Sequence, residues 1–321
     1  MPPDNPPKTK AKTSDRAKPQ PSRVSRLLTT IWRPFHLLAF ALILSTVMFW
    51  PEITRQMPDL RSRPEYQISW TNISVTPSGR WVPPDLVSKV QEKSDLPDPL
   101  PVLDDRLVEN LAVAFSRHPW VAEVISVAKT GPETINIEMK YRTPVLMVRT
   151  KRGGLYPVDR EGILLPPSDF APADAERFPI LTQVHSLPIG PAGTVWGDEA
   201  VLGAARLAVA LTTTQERSSA WETFGMAAIA VLGPAQPAKT LDDVTLGLLT
   251  SAGSQVIWGR PPGADALEPT VEQKLHRLDQ FLPKYGDANW ATKTRRLDIR
   301  PWDVVENDEL TQEGREGRRF Q

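Results

Sequence analysis

From His118 to Val148 the chain reads HPWVAEVISVAKTGPETINIEMKYRTPVLMV. Within this segment Ile135, Ile137 and Met139 alternate with polar residues, a period of two that predicts a strand with one buried face and one solvated face. Turn residues and prolines divide the segment into three predicted strands, at 120–129, 134–140 and 144–149. A small β-rich module of this kind favours docking over catalysis.

A further strand and two helices are predicted before this segment. The strand covers 66–75, and the helices begin at Pro84-Asp85 and at Asp104-Asp105. The second helix carries an apolar stripe at helical spacing, formed by Leu107, Leu111, Ala114 and Phe115. Together these elements predict a small α+β domain of βααββ order over 66–149.

The sequence after this domain mixes short strand and helix signals. Strands are predicted at 223–232, 243–250, 254–258 and 295–305, and helices at 200–211 and 270–282. We therefore expect a mixed β domain with flanking helices over 150–305. The polar residues 306–321 predict a frayed C-terminal tail.

The N-terminal segment differs from the rest in charge. Residues 1–34 hold eight Lys or Arg against two Asp, whereas the whole chain has no net charge. A basic, Pro-rich segment of this kind predicts a disordered, solvated tail over 1–30. Attraction of the tail to anionic lipid or to nucleic acid is the alternative.

Residues 35–50 contain no Asp, Glu, Lys or Arg. We expect a single transmembrane helix over 31–50, followed by a Pro-rich linker over 51–65. The expected interface residues of this helix are Trp32, Arg33 and Trp50. A cleavable signal peptide and a buried core helix are the alternatives, but no small-x-small cleavage site follows and Pro-rich segments flank the helix. The basic tail would place the N-terminus in the cytoplasm and the later domains outside the membrane.

No recognised catalytic or metal-binding motif is present. The four histidines, His36, His118, His185 and His276, lack metal-ligand spacing, and there is no P-loop, HExxH or GxSxG. We therefore expect no enzyme activity, no catalytic residue, no metal, no cofactor and no small-molecule substrate. We interpret His118 as a helix cap or surface residue. Trp120 is interpreted as a core aromatic, with a role in a partner groove as the alternative.

Several short sequence motifs occur in an order that is similar to the order in one protein family. They are Pro119-Trp120-Val121, Arg142-Thr143-Pro144-Val145, Val158-Asp159-Arg160-Glu161-Gly162, Phe178-Pro179-Ile180-Leu181, Trp258-Gly259-Arg260 and Leu297-Asp298-Ile299-Arg300. With the basic tail and the apolar segment, they resemble FtsQ/DivIB, single-pass bacterial cell-division proteins, over residues 30–305. The chain departs from the family pattern at Val75-Thr76-Pro77 and at Pro301-Trp302.

The resemblance implies a POTRA domain followed by a β domain, at the division septum of the inner (cytoplasmic) membrane. It also implies partners among other membrane division proteins of the FtsB/FtsL type, with membrane lipid as a further contact and no nucleic acid. An envelope transport or assembly component with a POTRA-like module is one alternative, and a membrane-anchored cell-wall enzyme is a less favoured one.

The predicted strand 295–305 is the expected docking edge, because a terminal strand exposes backbone groups that a partner strand can pair with. The candidate partner-binding residues are Leu297, Ile299, Trp302 and Val304. Pro301 lacks a backbone N–H, so pairing along this strand must tolerate a gap at that position.

Overall fold

The computed structural model describes residues 38–52, 63–131, 133–212, 220–234, 236–285, 294–302 and 305–309. The chain divides into two compact units, Met1–Leu60 and Arg61–Gln321. Helix α1, over 38–52, is the regular element described in the first unit. All the strands that the structure describes lie in the second unit.

The prediction of a transmembrane helix over 31–50 needs correction. Among the described residues, no helix combines the length and the apolar character needed to cross a membrane. The 15 residues of α1 extend about 22 Å at about 1.5 Å per residue, against a hydrocarbon core of about 30 Å. The fold is α+β, and the single N-terminal transmembrane helix is not part of the described structure.

The second unit begins with a three-stranded sheet and two helices, here called the first module (residues 63–141). Its elements are β1 (Gln67–Ile68), β2 (Ile73–Val75), α2 (Leu86–Lys93), β3 (Leu100–Pro101), α3 (Leu107–Ser116), β4 (Val121–Lys129) and β5 (Ile135–Tyr141). The strand order is β2-β5-β4, with β2 parallel and β4 antiparallel to β5. The short strands β1 and β3 pair with each other. Apart from that pair, the order is βααββ.

The sequence pattern explains the core of the first module. Ile135, Ile137 and Met139 are buried, while the residues between them are exposed, as the period of two requires. The helical stripe of α3 meets this face of the sheet, with Leu107, Leu111 and Phe115 all at 2% exposure or less. The predicted strand 66–75 is interrupted, because a 3₁₀ turn over Trp70–Asn72 separates β1 from β2.

The described residues between 144 and 309 form the second module, around one mixed sheet. Its elements are β6 (Pro144–Thr150), β7 (Leu155–Asp159), α4 (Pro172–Ala175), β8 (Ile180–Val184), α5 (Glu199–Thr212), α6 (Ala220–Thr223), β9 (Met226–Val231), β10 (Leu246–Thr250), β11 (Gln255–Gly259), α7 (Val271–Tyr285), β12 (Arg295–Asp298) and β13 (Glu306–Glu309). The sheet order is β13-β12-β11-β10-β9-β8-β6-β7.

Three neighbouring pairs in the described sheet are parallel: β6–β8, which the chain connects by way of β7 and α4, and two pairs that are connected by helical crossovers. Strand β8 connects through α5 to the parallel β9, and β11 connects through α7 to the parallel β12. Parallel neighbours need such a crossover, whereas the hairpins β9–β10, β10–β11 and β12–β13 are antiparallel. Helix α5 is Ala-rich on its buried face, which lets it lie close to the sheet.

Strand β6 was expected to close the first module, but it pairs with β7 and β8 in the large sheet instead. The two strands β5 and β6 are separated only by Arg142 and Thr143, so the chain passes directly from one sheet to the other. Aromatic side chains fill the junction between the modules, with Phe170 stacked on Trp81 at 5.6 Å and on Trp120 at 5.8 Å between ring centroids.

Candidate docking surface at the end of the large sheet

The last two strands form the end of the large sheet. Strand β12 covers only Arg295–Asp298 of the predicted 295–305, and its ladder stops before Pro301, which has no N–H to donate. The chain then returns as β13, which pairs antiparallel along β12 from Arg295–Glu309 to Asp298–Glu306. Among the residues that the structure describes, the edge strand is therefore β13, not β12. The expectation of a frayed tail fails for residues 306–309.

Two of the four predicted partner residues are buried inside the protein. Leu297 and Ile299 both have 0% exposure and belong to the core of the second module. Our expectation that these side chains contact a partner needs correction, because a partner strand would meet the backbone of β13 first. Their alternation with charged residues reflects a strand with one buried face.

Arg277 of α7 holds the segment that links β12 to β13. Its Nη1 donates to the carbonyl of Ile299 at 3.0 Å and also to the carbonyl of Pro301, and its Nη2 donates to the carbonyl of Trp302. A planar guanidinium can satisfy several acceptors at once. One helix side chain therefore fixes the turn that brings the edge strand back along the sheet.

Trp302 is the predicted partner residue that reaches the surface. Its side chain is 55% exposed, and its Nε1 donates to the carbonyl of Leu267 at 3.2 Å. Leu267 itself is 98% exposed. We call Trp302 and Leu267 the Trp302 patch. An exposed Trp beside an exposed Leu at a sheet end is the type of surface that interfaces use.

A buried charge pair supports this surface from inside. Lys274 Nζ lies 2.7 Å from Glu268 Oε2 and 5.3 Å from the centroid of the Trp258 ring. Burial lowers the pKa of Lys274, and the nearby charges of Arg300 and Arg277 act in the same direction, against the pull of Glu268. Glu268 also accepts a hydrogen bond from the backbone N–H of Arg260, so it ties α7 to the end of β11.

A second pair lies where β12 ends. Arg300 donates to both oxygens of Asp298, with Nη2 to Oδ2 at 2.6 Å and Nε to Oδ1 at 2.9 Å. Burial alone would raise the pKa of Asp298, but the hydrogen bonds and charge of Arg300 outweigh it and lower that pKa. The same bonds raise the pKa of Arg300. The pair stays fully ionised at neutral pH and fixes the chain direction after the strand.

The remaining predicted residues have different outcomes. Val304, Trp32 and Arg33 lie outside the described residues, whereas Trp50 lies in α1 and is 58% exposed. Arg277 and Glu268 were not predicted, because their partners lie six or more residues away in sequence and no local motif marks them. The sequence offered one indication of a buried charge here, since Lys274 is a charged residue close to the apolar stripe of a helix.

The surface offers backbone groups, charge and one apolar patch. In the described part of the chain, no group of three or more His, Cys, Asp or Glu is arranged to hold a metal ion. Strand β13 reads Glu-Asn-Asp-Glu, and its first residue, Glu306, is exposed. This arrangement can bind an extended segment by main-chain pairing.

No protein-family model matches the chain, and a search of curated proteins also finds no match.

Proposed function

We propose that this chain is a bacterial cell-division protein, similar to FtsQ/DivIB, that docks other membrane division proteins and helps assemble or regulate septal wall synthesis. The observation that carries the proposal is the sheet end, where β13 is an edge strand beside the exposed Trp302 patch. A βααββ module followed by a mixed sheet supports it, because the resemblance implies that order of elements.

The proposed mode of binding is strand addition. In the described sheet β13 pairs only with β12, so its other side can accept a partner strand. Main-chain pairing supplies affinity, while the Trp302 patch and the exposed Glu306 supply selectivity. The buried Leu297 and Ile299 hold the strand in place, and the contact is made by the backbone of β13 and by the patch.

The proposed location is the cytoplasmic membrane at the division septum. Nine large apolar side chains of α1, from Leu38 to Trp50, are between 57% and 76% exposed. Apolar surface of this extent is stabilised by contact with lipid. The proposal needs α1 to associate with lipid and does not require this helix to cross the bilayer.

Site-specific photo-crosslinking in the native bacterium tests the docking surface directly. A photoreactive amino acid replaces exposed Glu306, or Trp302, in the full-length chain, and the captured proteins are identified by mass spectrometry. We expect capture of a membrane protein of the division machinery. The matched control is Ile189, which is 73% exposed but lies in the loop between β8 and α5.

Two outcomes would contradict the proposal. Capture at Ile189 equal to capture at Glu306 would mean that no specific interface exists at the sheet end. Capture of transport components, together with uniform envelope fluorescence of a tagged chain instead of a midcell band, would favour the envelope-assembly alternative. A Trp302→Glu variant should bind the captured partner at least about tenfold more weakly, equivalent to about 1.4 kcal/mol.

A further inference from the structure

A groove between α2 and α3 of the first module lies on a part of the molecule that the docking proposal does not use. Its cavity measures about 550 Å³ and is lined by residues from the last turns of both helices and from the segments that follow them. The lining includes Lys89 and Lys93 on α2, and Arg117 directly after α3. The two helix ends therefore bring three cationic side chains to one groove.

The net charge of the groove lining is opposite in sign to that of the second unit as a whole. Asp95 is the carboxylate in the lining, against three cations. The second unit as a whole holds 29 Lys or Arg against 34 Asp or Glu. Asp85 pairs with Lys89 at 3.1 Å, but no carboxylate of the described residues lies within ion-pair distance of Lys93 or Arg117. Two cations are thus left for an external anionic group.

His118 adds a polar group to the base of the groove. Its side chain is 7% exposed, and its Nδ1 accepts a hydrogen bond from the backbone N–H of Trp120 at 3.4 Å. Burial lowers the pKa of His118, and the charges of Lys93 and Lys89 lower it further, whereas Asp169 and Asp85 act in the opposite direction. The neutral ring, with Nδ1 as acceptor, carries its proton on Nε2 and can donate to a ligand.

The groove also has an apolar part. Val113 on α3 is 43% exposed, and Leu96 and Ala114 are partly buried beside it. A site of this size, with apolar walls and cationic ends, matches a short peptide that presents both methyl-bearing and carboxylate side chains. The concave shape does not fit a bilayer surface, and three cations do not make the extended basic face that nucleic acid needs.

We propose that this groove binds an acidic peptide segment of a partner protein, with Lys93 and Arg117 pairing with its carboxylates. The interaction is independent of strand addition at β13, because it uses side chains of the first module. It gives the molecule a second contact point. Its strength falls with ionic strength, because exposed charges are screened over about 10 Å at 0.1 M salt.

The test uses the full-length chain in a neutral detergent and a fluorescein-labelled hexaglutamate peptide, with binding measured by fluorescence anisotropy. We expect saturable binding of hexaglutamate and none of hexaglutamine. A Lys93→Glu/Arg117→Glu variant should weaken binding at least about tenfold. The matched control is Arg106→Glu/Lys151→Glu, which makes the same change in net charge at exposed positions outside the groove and should leave binding within about twofold.

A second measurement places the peptide in the groove. In the wild-type chain, added hexaglutamate should raise the pKa of His118, followed by NMR, because a nearby carboxylate favours the protonated ring. Equal weakening by both double variants, or an unmoved His118, would overturn the proposal. The chain could instead bind vesicles of anionic phosphatidylglycerol more tightly than the peptide, with the same dependence on Lys93 and Arg117. That result would overturn the peptide proposal in favour of a lipid surface.

Discussion

Trp120 connects the core of the first module to its junction with the second. Its side chain has 0% exposure, its Nε1 donates to Asp169 at 2.8 Å, and its ring stacks on Phe170. The interpretation of Trp120 as a core aromatic is confirmed. The partner-groove alternative is wrong, because a side chain without exposed surface cannot line a groove.

Trp120→Ala should lower the free energy of unfolding by about 3–5 kcal/mol, because it removes a large buried ring and leaves a cavity. Urea titration followed by circular dichroism measures the loss. Trp302→Ala is the matched control, since Trp302 is 55% exposed and its removal should cost less than about 1 kcal/mol. Equal losses in the two variants would mean that exposure does not distinguish these two tryptophans.

His118 makes stability depend on pH. Burial and two lysines lower the pKa of His118 in the folded state below 6.5, so the unfolded chain takes up the proton first as pH falls. The contribution of His118 to stability is therefore fully present above pH 6.5 and decreases as pH falls from there to the folded pKa. Below the folded pKa both states are protonated and the His118 contribution stays constant.

Replacing His118 by Gln should remove this decrease, which for one proton has a slope of at most about 1.4 kcal/mol per pH unit. The measurement is urea unfolding at pH 5, 6 and 7 for wild type and variant. His185→Gln is the control, because His185 is exposed. An identical pH slope in wild type and in His118→Gln would show that this side chain is not the source of the dependence.

Helix α7 carries a charge where its apolar stripe meets the sheet. Lys274 has 3% side-chain exposure and Glu268 has 20%, and their charged atoms are 2.7 Å apart. Removing one partner of a buried pair leaves a charge without compensation, which costs about 3–5 kcal/mol at a fully buried site. Replacing both partners by neutral groups avoids that cost.

Lys274→Met should therefore lower the free energy of unfolding by about 2–4 kcal/mol, a value reduced because Glu268 keeps some contact with solvent and the N–H of Arg260. The double variant Lys274→Met/Glu268→Gln should recover more than half of that loss, since Gln still accepts from Arg260. Chemical unfolding of the three chains measures both effects. A double variant no more stable than the single one would mean that lost packing, and not uncompensated charge, causes the loss.

Elements with a strong local pattern were predicted from the sequence, and elements that depend on distant partners were not. Strand β5 and helices α3, α5 and α7 follow from periods of two and 3.6. Strand β8 was missed because its neighbours β6 and β9 supply its parallel pairing. Residues 306–309 were predicted to be part of a tail, because Glu-Asn-Asp-Glu has low strand propensity. The hydrogen-bonded ladder with β12 overrides that low propensity and forms β13.

The same distinction applies to the candidate docking surface. The sequence indicated the region and the exposed Trp302, because an aromatic after a strand is a local signal. It could not show that Leu297 and Ile299 are core residues and not contact residues, since the apolar face of an isolated strand can pack on the protein's own core or on a partner. Arg277 stabilises the turn after β12 from 22 residues or more away, a relation that exists only in the fold.

The two modules are joined by contacts that bury polar and aromatic groups together. Arg142, directly after β5, places its Nη1 2.7 Å from Asp159 Oδ2 at the end of β7, and Asp159 is only 1% exposed. Asp159 also accepts the backbone N–H groups of Glu161 and Ile163. Phe170 packs on Trp81, Trp120 and Phe178. Because these contacts join the two modules, each module stabilises the other.

We therefore expect the second unit to unfold in one cooperative step, with amides of β5 and of β10 losing hydrogen-exchange protection at the same urea concentration.

Arg142→Met/Phe170→Ala removes the ion pair and the ring at the centre of the aromatic contacts. In that variant the amides of β5 should exchange at lower urea than those of β10, because the smaller first module loses more of its buried surface. Leu187→Ala, at a 40% exposed position after β8, is the control and should keep the single step. Separate transitions already present in the wild-type chain would show that the junction does not couple the modules. The docking surface and the basic groove would then belong to two independently folding parts.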